Sequence, residues 1–223
     1  MREIILDTET TGLDPEAGHR IVEIAALEVI DGVTTGKMFH SYVNPERDIP
    51  DEVYRIHGLS QGFLEQHPRF AVIADEFVAF ISGATLVIHN AEFDMRFINA
   101  ELARLRKGPI GMESVVDTVE LARRRFPGAQ ASLDALCRRF GIDNSARTTH
   151  GARLDAELLA EVYLELTGGR QAGLGLDSAG AKAPPADAQP ANARAPRPHA
   201  PTDEELEAHA ELVKGLKNPI WTE

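Results

Sequence analysis

Asp7 and Glu9, two residues apart at the end of the apolar run Ile4-Ile5-Leu6, are the first residues whose types and spacing suggest chemistry. In an extended strand alternate side chains share a face, so these carboxylates point the same way, about 6.6 Å apart along the backbone. Fixed on a buried strand, they repel each other unless a cation lies between them, which makes the pair a seat for a divalent metal. The spacing alone decides little in an acidic chain, because Asp203/Glu205 and Glu205/Glu207 repeat it in a polar segment. Two further carboxylates strengthen the reading. Asp94 follows the apolar run Leu86-Val87-Ile88 within His89-Asn90-Ala91-Glu92-Phe93-Asp94, where a first helical turn offers free N–H groups to negative charge. Asp155 shares a helical face with Leu159, Val162 and Leu166, so it points inward and needs a partner, for which a metal is the economical candidate.

The elements that must carry these residues can be read from hydrophobic period. Strand patterns occupy 3–7, 20–30, 37–43, 85–89 and 114–117, and helical patterns occupy 70–81, 91–107, 119–126, 132–140 and 151–166. The first three strands follow one another through short turns such as Asp31-Gly32, which suggests an antiparallel meander. The last two are each reached through a helix, which implies parallel crossovers. The expected fold is α/β, a mixed five-stranded sheet with helices on both faces. The single cysteine, Cys137, excludes an internal disulfide and falls in an amphipathic pattern as core filler.

Asp-x-Glu-Thr-Thr-Gly at 7–12, His-Asn-x-x-Phe-Asp at 89–94 and His-x4-Asp at 150–155 resemble, in order, the three motifs of the DEDD exonuclease superfamily. The histidine five residues before the last aspartate is similar to its histidine-type branch. His150-Gly151-Ala152 with Leu154-Asp155-Ala156, Leu159–Leu164 and Thr167-Gly168-Gly169 resemble in particular the family of epsilon proofreading subunits of bacterial DNA polymerase III. The resemblance implies an RNase H-like fold and hydrolysis of phosphodiesters at a DNA 3′ end, single-stranded or frayed. It also implies two divalent ions, Mg2+ or Mn2+, as cofactors. One ion would sit on Asp7, Glu9 and Asp155; the other would share Asp7, with Asp94 acting through water. His150 would take a proton as general base, a task that suits an imidazole at neutral pH. By the same carry-over, Thr8, Thr10 and Thr11 would contact the terminal nucleotide, and Leu13 would act as an apolar wedge at the last base. His57 would line the nucleotide pocket, while His89, Asn90 and Phe93 would shape its floor. His19, His40, His67, His199 and His209 have no such context and read as surface residues.

The formal charge of −12 disfavours tight non-specific binding to a phosphate backbone, so metal or a partner must bring nucleic acid to this chain. No run is long and apolar enough for a membrane span, and Arg2 passes directly into the first strand without a leader pattern, so a cytoplasmic location is expected. Residues 1–170 read as the enzyme domain. Residues 178–202 hold nine Ala and six Pro and almost nothing large and apolar, so 171–202 reads as a flexible linker. Gln171, Leu174 and Leu176 at its start resemble the peptide by which bacterial proteins dock on the beta sliding clamp. Beyond it, Thr202-Asp203-Glu204-Glu205 reads as a capping box opening a short amphipathic helix. Leu206, Val213, Ile220 and Trp221 in 203–223 are the residues expected to bind the polymerase alpha subunit. Two other readings stand beside this one: a free-standing exonuclease in RNA maturation or DNA repair, and a non-catalytic adaptor between polymerase and clamp.

Overall fold

The computed structural model describes residues 1–169 and 201–215. Five strands form one mixed sheet: β1 (Arg2–Thr10), β2 (Ile21–Ile30), β3 (Val33–Tyr42), β4 (Thr85–Ile88) and β5 (Val115–Asp117), in the order β3-β2-β1-β4-β5. The meander β1-β2-β3 is antiparallel, and β4 and β5 join β1 in parallel. Asp31 and Gly32 both take positive φ, 51° and 79°, the backbone a two-residue hairpin needs between twisted strands.

Helices cover both faces. On one lie α3 (Phe70–Ile81) and α4 (Ala91–Arg104); on the other α5 (Thr118–Arg125), α6 (Leu133–Phe140) and α7 (Ala152–Leu166). Two short helices, α1 (Asp51–His57) and α2 (Gln61–Leu64), follow β3. Side-chain alternation along β1 divides the interior. Ile4 and Leu6 pack with Phe70, Phe77, Phe97 and Ile98, whereas Ile5 packs with Leu136, Cys137, Leu159 and Val162. Cys137 is buried, as the helical pattern required. Among the described residues no helix is long and apolar enough to cross a membrane.

The structure departs from the sequence reading at four places, one of them α4, which stops at Arg104 instead of 107. β1 runs to Thr10 instead of ending at Asp7, because Thr8 and Thr10 are 6% and 7% exposed and turn inward like the apolar residues before them. β3 begins at Val33, directly after the hairpin. The short helices α1 and α2 were not expected from period at all; each buries a single residue, His57 and Leu64, so neither shows an amphipathic stripe. A twelve-residue helix, α8 (Asp203–Lys214), belongs to a separate unit, and its capping box is formed by Thr202 and Glu205 as expected. Leu206 is half exposed there and Val213 partly covered. Gln171, Leu174, Leu176, Ile220 and Trp221 lie outside the described residues.

Candidate active site

Asp7, Glu9, Asp94, Asp155 and His150 all line one open cleft of about 350 Å3, together with Thr8, His89, Asn90, Phe93, Asp134 and Arg147. Three elements meet there. Asp7 and Glu9 stand on central β1 and share a face of the sheet. Asp94 lies in the first turn of α4, which follows β4, the parallel neighbour of β1. Asp155 lies in the first turn of α7, 4% exposed, on the face of Leu159, Val162 and Leu166, each under 8% exposed. One ligand atom each from Glu9, His150 and Asp155 lies within 4.8 Å of the other two. An oxygen-rich donor set of this kind fits a hard divalent cation.

Crowding shows in the acidities. Burial, then the charges of Asp94, Glu9, Asp155 and Glu23, hold the Asp7 carboxyl well above its usual range. Burial and the carboxylates of Asp155, Glu23 and Asp94 push Glu9 up to about 8, partly opposed by Arg147. Asp94 is raised to about 7 by burial, although its bond from Thr8 Oγ1 at 2.7 Å pulls the other way.

These shifts set a signed expectation. Between the ordinary carboxyl values of 4.5 and 3.8 and the folded values near 8 and 7, the metal-free fold binds more protons than the unfolded chain. These two carboxyls should make stability fall as pH rises from 5 to 8, by on the order of a few kcal/mol, opposed over the lower part of that range by His57 and His89, which burial holds below the usual imidazole value. For a domain of this size that lowers Tm by about 5–15 °C. Calorimetry with chelator should show the fall, and added Mg2+ or Mn2+ should remove it by holding the ionised form.

Arg147 was not singled out by sequence, and no motif marks it. Its Nε and Nη2 reach both oxygens of Asp155 at 2.6 and 2.7 Å, its Nη1 reaches both of Asp134 at 3.1 and 3.0 Å, and Nη2 lies 3.0 Å from His150 Nδ1. Its guanidinium is the positive charge that offsets Asp155. His150 is half exposed at the cleft mouth, and its backbone N–H donates to Ile56 O at 3.0 Å. Asp117 was read only as the end of a strand; its carboxylate accepts the Asn90, Ala91 and Val119 N–H groups and so starts α4 and α5 together.

The remaining expected residues divide. His89, Asn90 and Phe93 do line the cleft; Asn90 takes φ 65° to let α4 begin, and the His89 ring is tied to Thr118 Oγ1 at 2.8 Å. Leu13 is 80% exposed on the turn after β1. The threonine hydroxyls are spent internally: Thr8 on Asp94, Thr10 on Gly12 O, and Thr11 on His19 and the Arg20 N–H. His57 is buried and lines a neighbouring pocket of about 380 Å3 with Glu23, Tyr42, Thr149 and His150. Its Nδ1 accepts the Leu59 N–H, and its Nε2 has no partner among the described residues. The reading of His19, His40 and His67 as surface residues is corrected. The His19 ring packs on Gly12, leaving no room for a Cβ there, and His67 stacks against Tyr42 and Phe63. His40 pairs with buried Glu23 at 2.7 Å. His209 is exposed, and His199 lies outside the described residues.

A mixed sheet with acidic residues gathered at the C-terminal end of its central strand and a histidine at the mouth defines the class: a metal-dependent nuclease-type α/β domain. Comparison with known proteins agrees. The family model described as "Exonuclease" matches residues 4–163. DNA polymerase III subunit epsilon of Rickettsia prowazekii (strain Madrid E) is 59% identical over 174 residues, 77% of this chain and 76% of the relative. That of Escherichia coli (strain K12) is 48% identical over 176 residues, 76% and 72%. Among solved structures, Exonuclease X in complex with 5′ overhanging duplex DNA aligns at TM-score 0.57 and 27% identity, covering 74% of this chain and 90% of that one. The nuclease domain of 3′hExo, a DEDDh family member bound to rAMP, shares the fold at TM-score 0.65 and 18% identity, covering 74% and 91%. The chain belongs to the exonuclease family and, within it, with the epsilon subunits of DNA polymerase III.

Proposed function

We propose that this chain is the 3′–5′ proofreading exonuclease subunit of a bacterial replicative DNA polymerase III, removing mismatched 3′ nucleotides in the cytoplasm. The observation that supports this most is the cleft itself, which brings Asp7, Glu9, Asp94 and Asp155 from three elements together with His150. When bound, two divalent ions, Mg2+ or Mn2+, held by Asp7, Glu9, Asp155 and, through water, Asp94, supply the Lewis-acid charge that offsets the phosphate during displacement.

The chain's own residues do the rest. Thr8 orients Asp94 by its 2.7 Å hydrogen bond, and the first turn of α7 holds Asp155 against β1. With Nδ1 accepting from Arg147, a neutral His150 carries its proton on Nε2, and Nδ1 is the lone pair that would receive a further proton. His150 is then the general base, exposed enough to pass its proton to water. Exposed Leu13 serves as the wedge at the terminal base.

Similarity to epsilon subunits over three quarters of the chain favours the polymerase-associated reading over a free-standing enzyme. Leu206 and Val213 on α8, with Ile220 and Trp221, would dock on the alpha subunit, and Gln171, Leu174 and Leu176 on the beta clamp. Helix α8 buries none of its residues, which suits a segment awaiting a partner. The test is a primer with a mismatched 3′ end. Mononucleotide release should require added Mg2+ or Mn2+ and cease in chelator; release from chelated protein would overturn the proposal.

A further inference from the structure

Glu23 is a carboxylate in the middle of the apolar strand segment Ile21-Val22-Glu23-Ile24, and it is 2% exposed between neighbours that are wholly buried. Such burial is costly, and more so here, because Glu23 pairs across the sheet with Glu9 and its charge raises both Glu9 and Asp7. Stability alone would favour an apolar side chain at this position. What the carboxylate gives is location. Its Oε2 accepts the Ala152 N–H at 3.1 Å, a buried bond spanning 129 residues of sequence. Its Oε1 lies 2.7 Å from His40 Nε2 on β3, which holds the side chain in place.

Ala152 is the first residue of α7, and the residue before it, Gly151, has no side chain with which to cap the helix. Glu23 thus caps α7 from β2, where a free helical N–H and the helix dipole both favour a negative group. The anchored amide stands two residues after His150 and three before Asp155. From the other side, Ile56 O holds the His150 N–H at 3.0 Å. The turn bearing the histidine and the start of the helix bearing the aspartate are therefore tied at both ends.

We propose that Glu23, braced by His40, is a positioning residue for the reaction: it fixes α7 against the sheet so that His150 and Asp155 stand in register with Asp7 and Glu9. This rests on the exonuclease reading. In the full-length chain, Glu23→Ala should speed hydrogen exchange at the Ala152 amide by about tenfold or more. It should lower kcat for nucleotide release by about 10- to 100-fold, the usual effect of losing a group that orients a metal or proton-transfer residue, with KM little changed. Glu23→Gln keeps an acceptor for Ala152 and should hold kcat within about threefold of wild type while keeping the amide protected. Should Glu23→Ala fail to fold, His40→Ala must show faster Ala152 exchange and a several-fold loss of kcat. Wild-type exchange or an unchanged kcat in the folded variant overturns the assignment of Glu23. Failure of the wild-type protein itself to release nucleotides overturns the exonuclease reading instead.

Discussion

Asp7→Asn should abolish nucleotide release, by about 10³-fold or more, while leaving the metal-free protein as stable as wild type or more so. The two halves of this result have one cause. Asp7 is sunk among Asp94, Glu9, Asp155 and Glu23, and its carboxyl resists ionisation in the absence of a cation. An amide of the same shape removes that repulsion, so the metal-free variant should lose less stability than wild type on going from pH 5 to pH 8. The same change removes an anionic oxygen from the proposed metal seat. Forfeiting about 4 kcal/mol of transition-state charge stabilisation corresponds to a thousandfold in rate. Added Mg2+ or Mn2+ should raise the Tm of wild type and leave that of Asp7→Asn almost where it was. A variant that keeps more than one hundredth of wild-type release would remove Asp7 from the metal seat.

His150→Ala should cost about 10²- to 10⁴-fold in kcat, the range for a positioned general base, and should differ from Asp7→Asn in how it responds to metal. The ring stands half exposed at the mouth, with its backbone held by Ile56 O and its Nδ1 by Arg147. Truncating it leaves the carboxylates in place, so metal should still raise the Tm of this variant by nearly the wild-type amount. Loss of kcat with the metal-induced Tm rise kept is the outcome that marks a base. Because one ligand atom of His150 lies within 4.8 Å of ligand atoms of Glu9 and Asp155, a metal-binding role is the alternative. Loss of the metal-induced Tm rise in His150→Ala would assign it that role.

The central strand, the antiparallel meander, the parallel crossovers and the inward turn of Asp155 were all legible in the sequence, because each is written in hydrophobic period. Leu159, Val162 and Leu166 define a helical face, and Asp155 lies on it. Residues that act through partners distant in sequence were not legible. Arg147 precedes His150 by three positions in a polar stretch, and nothing local shows that its fork meets Asp155 and Asp134 together. Glu23 did carry a signal, an acid amid Ile21, Val22 and Ile24, but its partners sit on β3 and α7. The helices α1 and α2, of seven and four residues, are too short to show a repeating stripe. The threonines after Asp7 read as substrate contacts because of the motif around them; what the sequence did not show is that the Thr8 and Thr10 hydroxyls are also bonded within the fold, to Asp94 and Gly12 O.

The two hydrophobic layers on either side of the sheet have a consequence for how this enzyme fails. Helix α4, bearing Asp94, rests on one layer, and α7, bearing Asp155, rests on the other, so the cleft is a seam between two separately packed interiors. Loosening either interior lets its carboxylate drift from the central strand while the rest of the sheet remains zipped. Turnover therefore depends on both interiors staying packed, since each holds one of these carboxylates against the central strand.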